Sequence, residues 1–389
     1  MLDRSFRESP APADTGRLIA QTATTAGTQN IADTIHSALA AAGLMRKGPA
    51  TSQRDAQLGL VAAPPSLVPR LDDQRLKAAP EYEHAAKGAF LARSYTNRVG
   101  SLAYKLYVPS TYSEQRDPVP LVVMLHGCTQ SPDDFAAGTR MNQLAEEHGF
   151  LVAYPEQARR ANGSKCWNWF LPHDQRRDEG EPSLIAGITR EVADRYRIDQ
   201  RRIFVAGLSA GAAMSVILGT TYPDLFAAVG AHSGLAYGVA HDVPSAFQVM
   251  RDPSAGAALR PGQDHGSHYP AGSATPAIVF HGDCDSTVDS RNGAGIVAQI
   301  LSAFSNTSSS LSSSTERSTE GGVSCTRTVH SVGLKPIIED WVLHGGGHAW
   351  SGGSTAGSFT QPNGPDASRE MIRFFLAQSA SIQNDLIVY

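Results

Sequence analysis

RIFVAGLSAG, Arg202–Gly211, sets a short apolar run, Ile203–Ala206, directly before Gly207-Leu208-Ser209-Ala210-Gly211. A helix-like stretch, Ala212–Gly219, follows at once. A strand that turns sharply into a helix around G-x-S-x-G strains its backbone and lifts the serine hydroxyl clear of the sheet edge. Glycines on both sides let strand and helix pass where a Cβ would clash. The five-residue pattern alone is a weak signal, and the flanking strand and helix make it specific.

Outward from this turn the chain alternates. Phe90–Tyr95 and Leu102–Val108 read as a hairpin. Leu121–Leu125 is a continuous apolar run, as suits a strand buried on both faces of a parallel sheet, and it ends in His126-Gly127-Cys128-Thr129-Gln130. A helical period spans Phe135–Glu147 and stops at Gly149; Phe150–Tyr154 is the next strand. Cys166-Trp167-Asn168-Trp169-Phe170 lies in the loop after it, and Pro182 opens a helix that runs to Tyr196. Beyond the serine come strand Ala227–Ala231, ending in His232-Ser233-Gly234, and strand Ala277–Phe280, closed by His281-Gly282-Asp283-Cys284-Asp285. Helix Ile296–Phe304, strand Ile337–Leu343 with His344-Gly345-Gly346-Gly347-His348, and helix Ala367–Ala377 complete the pattern. This predicts an α/β-hydrolase fold: a mainly parallel doubly wound sheet with helices on both faces. Ligands in such folds bind beyond the carboxyl ends of the strands, where each of these motifs falls.

One catalytic domain is expected over 89–389. Residues 1–88, rich in Ala, Thr, Ser, Pro and Gln, read as a weakly ordered arm with one helix, Asn30–Leu44. Residues 238–275 read as an irregular excursion whose His241, His265 and His268 are solvated loop residues rather than metal ligands, and Ser305–Glu320 reads as a surface loop. The net charge of −4 over 389 residues, with no basic face, argues against nucleic acid. No stretch of 18 apolar residues spans a membrane. The N-terminus lacks the apolar segment of a signal peptide, so a cytoplasmic or granule-associated protein is expected, with export as the alternative. The four cysteines fit no zinc spacing, and no metal or cofactor is called for.

A serine hydroxyl needs a base within hydrogen-bond reach, and the base needs an orienting carboxylate. In α/β-hydrolases the chain order is serine, acid, histidine, and Ser209, Asp285 and His348 follow it. Asp283 competes with Asp285, and the residues alone do not choose between them. His344 competes with His348, but the glycines before His348 suit a loop curling back toward the serine. The oxyanion donors are expected at the backbone N–H groups of Ala210 and Cys128. Trp167 and Trp350 are candidate walls of a substrate site, while Trp169 reads as core.

Taken together, HGCTQ, CWNW, GLSAG, HGDCDSTV and GGGHAWSG resemble the polyhydroxybutyrate depolymerase family of esterases, over Phe90–Gln378. The resemblance implies that the aspartate of H-G-x-x-D-x-x-V, Asp285, is the acid and that the histidine of G-G-G-H-x-W, His348, is the base. It implies a short-chain poly(3-hydroxyalkanoate) ester as substrate, with a polyester granule surface as partner. Feruloyl and acetylxylan esterases carry similar motifs and form the alternative; a non-catalytic granule-binding protein is the alternative of another class. In a sheet of this kind the strands before HGC and CWNW are neighbours, as are the strand before Cys284 and the hairpin carrying Cys325. Disulfides Cys128–Cys166 and Cys284–Cys325 are therefore expected if the chain is oxidised.

Overall fold

The computed structural model describes residues 88–254, 274–304 and 310–384. The expected helix Asn30–Leu44, and His265 and His268, lie outside these residues.

The chain opens with a hairpin of β1 (Ala89–Thr96) and β2 (Ser101–Val108), then β3 (Val119–Leu125), α1 (Pro132–Thr139), α2 (Met141–His148) and β4 (Leu151–Glu156). Next come α3 (Gly180–Arg195), β5 (Ile198–Leu208), α4 (Ala210–Thr221), β6 (Ala228–His232), α5 (Val243–Arg251), β7 (Ala277–Gly282) and α6 (Arg291–Phe304). The last part holds β8 (Leu311–Glu320), β9 (Val323–Val332), β10 (Lys335–Leu343), the two short strands β11 (Trp350–Ser351) and β12 (Thr360–Gln361), and α7 (Ala367–Asn384). Among the described residues, one ten-stranded sheet runs β1-β2-β4-β3-β5-β6-β7-β10-β9-β8. Its centre, from β4 to β10, is parallel, and antiparallel strands flank both sides.

The apolar runs without alternation are explained by two cores. On β3, Leu121, Val123 and Leu125 enter one core while Val122 and Met124 enter the other. Strand β5 repeats this with Ile203 and Val205 against Phe204, Ala206 and Leu208. Successive side chains point to opposite faces, so helices on both sides leave no polar position between them. Each such fully buried side chain stabilises the fold by roughly 1.5–3 kcal/mol.

Three local expectations change. The single helix over Phe135–Glu147 is two, because Arg140 turns left-handed at φ 55° and its N–H caps Ala136 O at 3.1 Å. The excursion after residue 238 contains α5, whose start is a capping box: Asp242 accepts from the Ser245 N–H and the Ser245 hydroxyl accepts from the Asp242 N–H. From Leu311 the Ser/Thr-rich stretch is the edge strand β8, which pairs with β9 over the length of the strand and turns at Gly321-Gly322. Glycine pairs are strong hairpin signals, and Thr315 bonds Thr328 across the strands at 3.0 Å.

Candidate active site

Strands β3, β5, β6, β7 and β10 all end on one side of the sheet, and their following loops carry His126–Cys128, Ser209, His232, Asp283–Asp285 and His344–His348. The turn after β5 holds Ser209 at φ 57°, ψ −119°, a conformation non-glycine residues rarely adopt. A Cβ at Gly207 would collide with the Gly211 backbone, and one at Gly211 with the carbonyl of Leu125. Both glycines are thus needed for α4 to leave so tightly between β5 and β3. Ser209 N–H donates to His232 O at 2.9 Å, which ties the apex to the end of β6.

His348 Nδ1 lies 2.7 Å from Asp285 Oδ2, and both residues are buried. The other oxygen, Asp285 Oδ1, accepts from the Thr287 and Val288 N–H groups, each at 2.9 Å. Burial pushes the Asp285 carboxyl up, but the charge of His348 and the hydrogen bonds from His281 and His348 outweigh it. The group stays well below the usual carboxylate range. A second pair sits beside the first: His344 Nδ1 is 2.8 Å from Asp283 Oδ2, and His344 Nε2 is 2.8 Å from Thr326 Oγ1. Both imidazoles therefore have a carboxylate, but only His348 Nε2 is without a partner among the described residues. Ser209 Oγ is likewise unbonded there. Hydrogen bonds between such groups are often long in unliganded sites and tighten with substrate.

Among the described residues the Cys128 and Ala210 N–H groups have no acceptor, Ala210 because it opens α4. Beside Ser209 lies a cavity of 30 Å³. Cys128, Cys166, Trp169 and Phe170 form one wall, and Phe247 and Met250 of α5, with Val288, form the other. It is almost wholly apolar and has room for about two water-sized groups.

Residues 102–319 match the profile of the Esterase PHB depolymerase family, more than half of the chain. The chain belongs to this family. The matched span includes Ser209 and Asp285 and stops before His348. Poly(3-hydroxyalkanoate) depolymerase C of Paucimonas lemoignei is 34% identical over 255 residues, 64% of this chain and 58% of that protein. A probable acetylxylan esterase A of Aspergillus flavus is 30% identical over 203 residues, 48% of this chain and 62% of the relative. The chain thus spans about three fifths of the length of these curated relatives. The solved acetyl xylan esterase of Aspergillus awamori superposes with a TM-score of 0.55 at 20% identity, over 75% of this chain and all of the other, and shows the same α/β-hydrolase fold.

Several site expectations for this family member are corrected. Trp167 and Trp350 are not walls: they are 0% and 1% exposed. Trp167 Nε1 donates to His126 O at 3.0 Å, and Trp350 Nε1 donates to Ser368 Oγ at 3.0 Å. Trp169, read as core, is buried in it and also lines the cavity. Cys128 and Cys166 are bonded, on loops that follow the adjacent strands β3 and β4. Cys284 and Cys325 are free. Cys325 on β9 stands opposite Leu343 of β10, and Leu343 opposite Gly282 of β7, so β10 lies between Cys325 and the strand that leads to Cys284. Two buried histidines went unassigned from the sequence, His232 and His281. The latter donates to Val288 O at 2.9 Å and stands 3.5 Å from Asp285 Oδ2. Their signal was present: each ends a strand beside a motif already singled out. Among the described residues no group of three His, Cys, Asp or Glu is placed to hold a metal, and no helix is long and apolar enough to cross a membrane.

Proposed function

We propose that this chain is a serine esterase that hydrolyses esters of short, compact acyl groups, with poly(3-hydroxybutyrate) or its oligomers as the substrate. Ser209 Oγ attacks the ester carbonyl while His348 Nε2 takes its proton and Asp285 holds the imidazole in place. The carbonyl oxygen becomes an oxyanion between the Cys128 and Ala210 N–H groups. Each such donor is worth about 3–4 kcal/mol in the transition state. The C–O bond then breaks and His348 returns the proton to the leaving alcohol. Water, deprotonated by the same imidazole, releases the hydroxyacid from Ser209.

The observation that carries this reading is the 30 Å³ apolar cavity against Ser209. Its apolar lining beside the nucleophile suits a short acyl group of two to four carbons better than the aromatic ring of a ferulate. Acetyl fits as well, and the similarity to acetylxylan esterases supports deacetylation of xylan as a second reading.

The test is a release panel with purified protein on amorphous poly(3-hydroxybutyrate) granules, acetylated xylan and a feruloylated arabinoxylan. Hydroxybutyrate release at the highest kcat/KM supports the first reading, and acetate release the second. Dominant ferulate release would overturn both. Ser209→Ala should abolish turnover of a short p-nitrophenyl ester, and an active Ser209→Ala protein would overturn the mechanism.

A further inference from the structure

Glu181, in the first turn of α3, was not expected to have a role, yet two series of contacts that share Gln157 lead from it to Cys128. Every hydrogen bond of its buried carboxylate is accepted from a donor. Oε2 accepts from the Asn168 N–H at 2.8 Å, and Oε1 accepts from Asn168 Nδ2 at 2.6 Å and from the Gln157 side-chain amide. Burial, with Asp174 beside it, pushes this carboxyl up while the hydrogen bonds from Asn168 and Gln157 pull it down, so its charge depends on keeping these donors in place.

The first series passes through Gln157. Its backbone N–H donates to His126 Nε2 at 3.1 Å, and His126 Nδ1 lies 2.7 Å from Gly127 O. Burial lowers His126 to about 4, so the ring is neutral and carries one proton. Nε2 is an acceptor here, which puts that proton on Nδ1, donating to Gly127 O. In a trans peptide the C=O and N–H point in opposite directions. Fixing Gly127 O therefore aims the Cys128 N–H.

The second series passes through the CWNW segment. Gln157 Nε2 donates to Cys166 O at 3.0 Å while Glu181 holds Asn168 at both backbone and side chain. Between them Trp167 bonds His126 O, and the Cys166 sulfur is joined to that of Cys128. One series thus sets the amide of Cys128 and the other its side chain.

We propose that Glu181 is a positioning residue for the oxyanion hole, setting the direction of the Cys128 N–H without touching substrate or Ser209. This rests on the reading of Cys128 as an oxyanion donor. In Glu181→Gln one carboxylate oxygen becomes an amide nitrogen, which meets a donor in either orientation: Asn168 Nδ2 and Gln157 Nε2 at one position, the Asn168 N–H at the other. Adding Asn168→Asp puts an acceptor opposite the first position, which the amide nitrogen then takes.

The experiment measures kcat and KM on p-nitrophenyl butyrate per titrated active site, and the affinity for a short alkylboronic acid, which forms a tetrahedral adduct on the serine. Glu181→Gln should lower the per-site kcat about 30-fold with KM within twofold, because the lost interaction is made only in the transition state. Boronate affinity should fall in parallel, and the Glu181→Gln/Asn168→Asp protein should recover to within about fivefold. A variant that merely folds poorly loses titratable sites and keeps its per-site rate, which overturns the proposal. So does a loss carried by KM alone, or one the second substitution does not restore. Ser209→Ala separates the two levels: if it is inactive while Glu181→Gln is normal, only the role of Glu181 falls.

Discussion

The Ser351 N–H donates to Nε2 of His232 at 3.1 Å, joining the end of β6 to the segment that follows His348. His232 O accepts from the Ser209 N–H, and its ring stacks on Trp350 at 5.3 Å between centroids. One residue therefore braces the serine turn with its backbone and the histidine loop with its side chain. Burial, then the nearby charges of His281 and His348, lowers it to about 3, so it stays neutral and its Nε2 remains an acceptor.

Replacing His232 should separate these loops. His232→Ala orphans a buried N–H, which costs about 1–3 kcal/mol, and the lost ring packing adds to that. Urea unfolding should show a stability loss of about 3 kcal/mol, and kcat should fall at least tenfold. Wild-type stability and rate in that variant would show that the brace is dispensable.

The two carboxylate–imidazole pairs make opposite predictions. Asp285→Asn leaves His348 facing an amide that no longer fixes its tautomer, and kcat should drop by about 10⁴. Asp283→Asn disturbs the half-exposed pair with His344, whose Nε2 is already engaged by Thr326. It should change kcat by less than tenfold. Equal losses in the two variants would mean that the acid is wrongly assigned.

The thiols can be counted. Denaturing alkylation should label Cys284 and Cys325 and leave Cys128 and Cys166 protected until a reductant is added. The bridge spans 38 residues, so chain entropy predicts that Cys166→Ser lowers stability by about 4 kcal/mol. Four alkylated thiols without reductant would show that the bridge does not form.

The parallel sheet and the serine turn were legible because they leave local marks: apolar runs bounded by glycine, and a strained G-x-S-x-G. The order of serine, acid and histidine was legible because each follows a strand. Asp283 and Asp285 were not separable from the residues alone, since both sit in one loop and the choice depends on which imidazole each meets. Trp167 and Trp350 were misread because a tryptophan beside a motif looks the same whether its N–H finds a buried acceptor or its ring faces solvent. The Cys284–Cys325 pairing failed on strand order, as β10 separates β7 from β9. Strand β8 was read as a loop because Ser and Thr dominate it, although its partner β9 supplies the ladder.

Stability should fall as pH drops below 6.5, chiefly through two buried histidines. His126 and His232 are lowered to about 4 and about 3 by burial. As pH falls from 6.5 the unfolded chain protonates at these positions and the native fold does not, so each removes about 1.4 kcal/mol of stability per pH unit. Asp340 is raised to about 6, chiefly by burial. Its contribution is full below the unfolded carboxylate pKa and is lost as pH rises through the folded value. From about pH 4.5 to 6 it offsets one of the two histidines, leaving a net loss of about 1.4 kcal/mol per pH unit on acidification. Above 6.5 these groups contribute no slope, so stability should be level toward pH 8. Below pH 4 His232 still excludes its proton, and the depressed Asp285 adds to the loss as the unfolded carboxylate protonates. Urea unfolding at pH 3.5, 5, 6.5 and 8 measures the curve. A wild-type protein as stable at pH 5 as at 6.5 would show that His126 and His232 are not held neutral in the fold.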